Sequence, residues 1–336
     1  MRINHRPFAR KRGVLKLLLR ALGGQCLEAI GKIERATLGG MRRDHKMLAS
    51  RLAGVLIAGI ACAPWSSGQT SRQIPVRLQT RAALQDHLKG FSTSNDEREA
   101  LIRKWLGDAG CKHSNLREQA VDGPVPPNVI CVLPGQTKEI IVVGAHTDKV
   151  DVGDGVVDNW TGAVLLPGLF YSLSAERRYH TLIFIGFSAE EKGLLGSRYY
   201  VDHLTREQRA RIEAMVNFDS LGLGPTKVWA SHADQPLLDD LRALAASTHL
   251  PLATENVDSI GASADAESFA RDHIPRITLH SVTDQSWAIL HSPADRLAAI
   301  QMSDYYDSYQ LIAKYLAYLD DALKPAPTGR SERPVE

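Results

Sequence analysis

The sequence predicts an α/β fold: a three-layer α/β/α sandwich around a mixed, mostly parallel sheet. Two observations carry that expectation. From residue 128 to residue 323, short runs rich in Ile, Val and Phe alternate with longer apolar, helix-patterned segments, as strands joined by crossover helices do. Clusters of His, Asp and Glu fall directly after those runs. In open α/β sheets, the carboxyl ends of strands are where ligands bind.

The elements follow in order. Gln69 to Pro75 is a polar linker. Val76–Leu88 and Ser94–Leu106 read as surface helices, the second opened by the cap Ser94 and the early acidic residues Asp96 and Glu97. Pro124 to Pro127 and Pro134-Gly135 are turns around a short strand, Asn128–Leu133. Glu139–Gly144 is a β-branched strand, and Thr161–Ser174 an apolar helix. His180–Phe187 is a buried strand and Leu194–His203 a helix. Ala214–Phe218 and Lys227–Ser231 are strands, followed by an amphipathic helix, Pro236–His249. Arg276–His280 is a strand, and Ser303–Leu323 is the long closing helix. The spacing shows no internal repeat.

Composition excludes several classes. Hydrophobic residues make up 44% and charged residues 23% of the 336 positions, so the chain is neither disordered nor fibrous. The net charge of +2 is unevenly distributed: residues 1–53 carry 13 Lys and Arg against three Asp and Glu, leaving 27 against 35 in the rest. An acidic body with 6% aromatic residues is a poor platform for nucleic acid, and none is expected as a partner.

Residues 41–68 read as a signal peptide. Arg42, Arg43 and Lys46 precede the apolar stretch Leu52 to Ala61, and small residues follow. The apolar stretch is shorter than the roughly 20 residues a membrane-spanning helix needs. The expected destination is therefore export, periplasmic or secreted, with Cys62 in a degraded lipoprotein box as a candidate lipid anchor. Residues 1–40 read as a leader or a gene-start artefact, residues 69–324 as a single domain, and residues 325–336 as a polar tail. In an oxidising compartment Cys111 and Cys131 are open to two readings, a disulfide or two buried thiols. No Cys-x-x-Cys pair occurs among the four cysteines, which excludes a zinc ribbon or a thioredoxin-type site.

The chemistry lies in five pieces: His146-Thr147-Asp148, Asp158-Asn159, Glu190-Glu191, Asn217-Phe218-Asp219, and His291-Ser292-Pro293. Taken singly, each has a plain reading as helix cap, solvated pair or structural histidine. Together, two histidines and several carboxylates at strand ends form a nitrogen and oxygen donor set that suits zinc and could accept cobalt or manganese.

These motifs, in this order, resemble the dizinc aminopeptidase family, which also contains glutamate carboxypeptidases and glutaminyl cyclases. The resemblance spans Asn128 to Leu319. It implies two zinc ions per chain, bridged by Asp158. His146 and Asp219 would complete one ion's ligands, and Glu191 and His291 the other's. Asp148 would orient the His146 ring, and Glu190 would be the general base toward a metal-bridging water. The implied activity is removal of N-terminal residues from peptides with a free amino end, by a monomer. Family carboxypeptidases carry extra domains for which this chain has no room. The alternatives are a glutaminyl cyclase or an inactive binding relative. Cyclases generally lack the Asn found here as Asn159, and inactive relatives lose ligands that are all present here.

Some positions depart from the family pattern. Ser263-Ala264-Asp265-Ala266 stands where the family usually reads Ser-Asp-His, leaving Asp265 to support the metal site, to meet the substrate amine or to cap a helix. Trp160 replaces a small residue and is open to two readings, packing under the sheet edge or walling the substrate pocket, and Trp287 is the better candidate for the pocket wall. His180, His203, His232, His249, His273 and His280 are expected on the surface or in satisfied core positions. Asp202 and Asp295 are expected as caps or surface residues, with a supporting role for the Asp295 loop as the alternative.

Overall fold

Three runs of Ile, Val and Phe become three neighbouring parallel strands, and these position the rest of the chain. The computed structural model describes residues 76–112, 114–258 and 262–325. The expected leader, signal segment, Cys62 and nearly all of the polar tail lie outside the described residues. The first strands are β1 (Leu116–Gln119), β2 (Asn128–Leu133), β3 (Ile140–His146) and β4 (Thr181–Phe187). They are followed by β5 (Ile212–Phe218), β6 (Lys227–Val228), β7 (Ala253–Thr254) and β8 (Arg276–His280). Among the described residues these form one eight-stranded sheet in the order β1-β2-β4-β3-β5-β8-β6-β7. The centre, β4-β3-β5-β8, is parallel. β2 joins β4 antiparallel, and β6 joins β8 antiparallel.

Strand alternation divides the core. Ile141, Val143 and Ala145 face one apolar cluster, and Ile140 and Val142 face the other. The first cluster is covered by α1 (Arg81–Lys89), α2 (Asn95–Asp108), α3 (Leu165–Leu173), α6 (Gln235–Thr248) and α8 (Met302–Ala322). The second lies under α4 (Leu195–Asp202) and the single turn α7 (Glu267–Ala270), with the short α5 (Arg206–Ala210) between them in chain order.

Several expectations need correction. The two leading helices are not merely superficial: Leu84, Leu88, Ile102 and Leu106 have no exposure, and Arg98 is also buried. α1 starts at Arg81 rather than Val76, because Thr80 caps it by accepting from the Ala83 N–H at 3.2 Å. The predicted Thr161–Ser174 helix is interrupted at Val164. Pro167 explains the break: in an unbroken helix its ring would press on the Ala163 carbonyl, whereas here it sits in the first turn of α3. The strand expected over Lys227–Ser231 ends at Val228 and gives way to a tight turn, Ala230–His232. There the Ser231 N–H is claimed by the Asn256 side chain rather than by a strand partner.

Cys111 and Cys131 are joined, tying the end of α2 to β2 across a separation of 20 residues. A cross-link closing a loop of this size stabilises by about 3 kcal/mol. Replacing both cysteines with serine is expected to lower the folding free energy by that amount, and denaturant unfolding of the two proteins side by side checks it.

His180 is a fully buried ion-pairing histidine. Its Nδ1 lies 3.1 Å from Asp320 Oδ1, and its Nε2 lies 2.9 Å from Glu213 Oε2. Burial opposes its charge, but the two carboxylates prevail and raise its pKa above the ordinary 6.5. Burial likewise opposes ionisation of Asp320, yet His180 and the Tyr179 and His180 N–H groups hold it below 3.8. The histidine's contribution is complete below pH 6.5 and fades as pH rises through its higher folded value. The aspartate's is complete above 3.8 and fades as pH falls through its lower folded value. The stability gap between wild type and Asp320→Asn is therefore expected to be widest between those limits and to shrink on both sides. Thermal midpoints taken across pH check this.

Candidate metal centre

The parallel register of the central strands aligns their carboxyl ends, and the polar pieces converge there. His146 is the last residue of β3 and pairs with Phe187 at the end of β4. Asp219 follows the end of β5 directly. Glu190 and Glu191 follow β4 after a left-handed Ala189, which turns the chain back across the strand end. Asp158 comes from the loop after β3, and His291 from the loop after β8. Gly196 is required behind the Glu-Glu turn, because a side chain there would collide with the Ser188 carbonyl and Asn128 Oδ1.

The two oxygens of Asp158 face different histidines. Oδ1 lies 3.2 Å from His146 Nε2, and Oδ2 lies 3.1 Å from His291 Nε2. Asp219 Oδ1 is 3.7 Å from the same His146 nitrogen, and Glu191 Oε2 is 2.9 Å from His291 Nε2. His146, Asp158 and Asp219 thus form one group with donor atoms within 4.8 Å of one another. Asp158, Glu191 and His291 form a second such group, sharing Asp158. Glu190 sits beside both and joins His146 and Glu191 in a third. His146, Asp158, Glu190, Glu191, Asp219 and His291 are therefore brought to one place.

The electrostatics of this cluster call for cations. Burial above all pushes Glu190 up to about 10. Burial and the charge of Asp158 push Glu191 up to about 7, and burial raises Asp219. Burial works against a charged His146, but the surrounding carboxylates outweigh it and hold that ring well above its ordinary value. Asp158 is held low by its two histidines despite burial, and its carboxylate lifts His291 to about 9. His146 is 1% exposed, yet among the described residues neither ring nitrogen has a hydrogen-bond partner of acceptable geometry. Buried imidazole nitrogens without a protein partner, set among crowded carboxylates, form a donor set that divalent metal satisfies. The residues present fit divalent metal.

A second ring of contacts fixes these donors. Asp148 Oδ1 lies 3.5 Å from His146 Nδ1, and the Asp148 carboxylate accepts from the Glu190 and Glu191 N–H groups at 3.0 and 3.2 Å. It therefore lies between the histidine and the Glu-Glu turn. Asn159 Oδ1 accepts from Gly162 and Ser220 at 2.9 and 3.2 Å, while its Nδ2 donates to the Phe218 carbonyl at 2.9 Å. It pins Asp158 to the Asp219 strand end.

Asp295 is not a surface residue. It is buried and accepts from the Val157 and Asp158 N–H groups at 2.6 and 3.2 Å. That contact couples the His291 loop to the Asp158 loop, the alternative left open for it. Asp265 is not a side-chain cap: it is fully buried with no hydrogen bond to either oxygen among the described residues, and burial lifts it to about 7. Asp202 stays on the surface, paired with Arg271. Trp160 packs in the core, its Nε1 donating to the His87 carbonyl at 3.3 Å. Trp287 lines the cleft that opens over the carboxylates, as do Trp229, Val257, Val282 and Leu290. His280, expected on the surface or in a satisfied core position, is buried and also borders that cleft. Burial lowers its pKa to about 4, so it is neutral near pH 7.

Comparison with known proteins gives a consistent set of likenesses. The sequence profile of peptidase family M28 matches residues 128–316, more than half of the chain. A leupeptin-inactivating enzyme from Streptomyces exfoliatus is 33% identical over 135 residues, which is 39% of this chain and 31% of that protein. An aminopeptidase from Pseudomonas aeruginosa is 35% identical over 88 residues, 26% of this chain and 16% of that protein. The match thus spans less than a third of these relatives' length. Among solved structures, a zinc aminopeptidase from Bacillus subtilis has a TM-score of 0.52 at 24% identity, over 57% of this chain and 49% of that one. A glutaminyl cyclase from an Acidobacteriales bacterium has a TM-score of 0.61 at 16% identity, over 74% of this chain and 97% of that one. At these identities both likenesses concern the fold.

Proposed function

The chain belongs to peptidase family M28, and from that premise we propose that it is an exported metallo-aminopeptidase with two zinc ions per chain. The observation that carries this reading is Asp158, whose two oxygens belong to two separate three-residue donor groups. His146 and Asp219 complete one group, and Glu191 and His291 the other.

The ions, when bound, supply Lewis acidity, lowering the pKa of water and stabilising negative charge on the scissile carbonyl oxygen. The chain's own residues do the rest. The acidic end of the cleft receives the cationic free amino group of a peptide. The apolar wall of Trp229, Val257, Val282 and Leu290 receives the first side chain. Glu190 lies in the cleft next to the donor groups without being needed to complete either three-residue set. With the carboxylate charge balanced, it takes the proton of the attacking water and passes it to the leaving amine. Asp148 keeps the His146 ring oriented while this happens.

Export is supported by the Cys111–Cys131 disulfide, since such bonds persist in oxidising compartments. Among the described residues, no helix is long and apolar enough to cross a membrane.

The test is release of a chromophore from a panel of aminoacyl anilides, with and without a chelator, beside N-acetylated versions of the same compounds. Chelator-sensitive release restricted to free amino ends supports the reading. No release, with cyclisation of Gln-initiated peptides instead, would replace it with the cyclase.

A further inference from the structure

We propose that Arg98, on a helix outside the segment that matches the family, is a positioning residue for the metal-binding loops, acting together with Asn95. The inference rests on the metal-site reading above. Arg98 has no exposed surface. Its Nε donates to the Thr147 carbonyl, between His146 and Asp148. Its Nη1 donates to the Gly155 carbonyl at 3.1 Å, three residues before Asp158, and more weakly to Ser92 at 3.4 Å. The guanidinium lies 5.0 Å from the centroid of the Trp160 ring, on the far side of Asp158 in the chain. Just short of one turn earlier on α2, Asn95 Nδ2 donates to the Lys149 carbonyl at 3.2 Å, and Asn95 Oδ1 accepts from the Lys149 N–H at 3.0 Å. Two side chains of α2 thus hold four backbone groups of the stretch from Thr147 to Gly155. That stretch begins beside one ligand and leads to the shared one.

A structural strut would not need a charge at this place. Burying a guanidinium costs several kcal/mol, and a well-packed apolar group is commonly as good or better for stability. One of its nitrogens, Nη2, has no hydrogen-bond partner among the described residues. What compensates the charge is the set of carboxylates nearby, Asp148, Asp158, Asp295 and Glu191. Its planar fork also reaches two carbonyls eight residues apart in a fixed geometry, which a lysine cannot reproduce. The cation therefore sits where it holds the ligand loop in shape and offsets the excess negative charge under the ions.

The experiment uses the full chain: wild type, Arg98→Met, Arg98→Lys, Asn95→Ala, and Leu241→Ala as a core control in α6. Zinc affinity is measured by competition with a chromophoric chelator, beside the melting temperature of each metal-free protein. Leu241→Ala is expected to lower the melting temperature and leave zinc affinity unchanged. Arg98→Met is expected to weaken zinc binding by about 10–100-fold, the usual effect of losing a group that orients a metal ligand. Arg98→Lys is expected to fall between it and wild type, and Asn95→Ala to weaken binding in the same direction. Kinetically the loss is expected in kcat rather than KM. Arg98 variants that bind zinc like wild type would overturn the inference. If Arg98→Met fails to fold, wild-type zinc affinity in both Arg98→Lys and Asn95→Ala would do so. A wild-type chain that takes up no zinc would overturn the metal-site reading itself, and this inference with it.

Discussion

Glu190→Gln is expected to keep its metal and lose about 10²–10⁴-fold in kcat, the range general acid–base catalysis supplies. The amide has nearly the shape of the carboxylate, so the turn after β4 is preserved. Its backbone anchor, the Glu190 N–H donated to Asp148 at 3.0 Å, is untouched. Both three-residue groups that share Asp158 are complete without Glu190. What disappears is the ability to take a proton from water and return it to the leaving amine. Metal content by elemental analysis and kcat on an aminoacyl anilide are measured on the same sample. Near-wild-type turnover would remove Glu190 from the mechanism. Loss of metal together with turnover would make it a ligand instead.

Asp158→Asn is expected to lose both ions. One carboxylate serves both donor groups, with one oxygen at 3.2 Å from His146 and the other at 3.1 Å from His291. An amide presents an N–H₂ group on one side and a neutral oxygen on the other, so at least one group falls to two donors. It also removes the negative charge that the ions share. Without the several kcal/mol of transition-state stabilisation that metal supplies, the rate falls about a thousandfold or more. The fold itself should survive, because the Asp158 N–H bond to Asp295 and the Asn159 contacts do not involve the substituted group. A folded variant that still binds two zinc ions would contradict the shared-ligand assignment.

The central sheet was legible in the sequence because its strands are buried on both faces and carry little but apolar residues. All seven residues of β3 are buried. Four donors were legible for the complementary reason: His146, Glu190, Glu191 and Asp219 are polar residues at or just behind the ends of apolar strands, whereas Asp158 and His291 lie in loops after β3 and β8.

Less legible were features decided by long-range contacts. β1, Leu-Arg-Glu-Gln, is a half-exposed edge strand with no apolar alternation to mark it, and it forms only because β2 lies alongside. β6 was overextended because Trp229, Ala230 and Ser231 are acceptable strand residues, and nothing local shows that Asn256 will claim Ser231. Asp295 acts on a residue 137 positions away, and Arg98 on loops 49 and 57 positions away. A trace of Arg98 was nonetheless present. It falls four and eight residues before Ile102 and Leu106, on the apolar face of α2, where an uncompensated charge has no reason to be.

The most direct measurement is a zinc titration of chelator-stripped full-length protein, following bound metal and release of an aminoacyl anilide together. The account predicts uptake of two ions per chain, activity that returns with them, and renewed loss on adding chelator. Release that is indifferent to metal, or stripped protein that takes up no zinc, would contradict it.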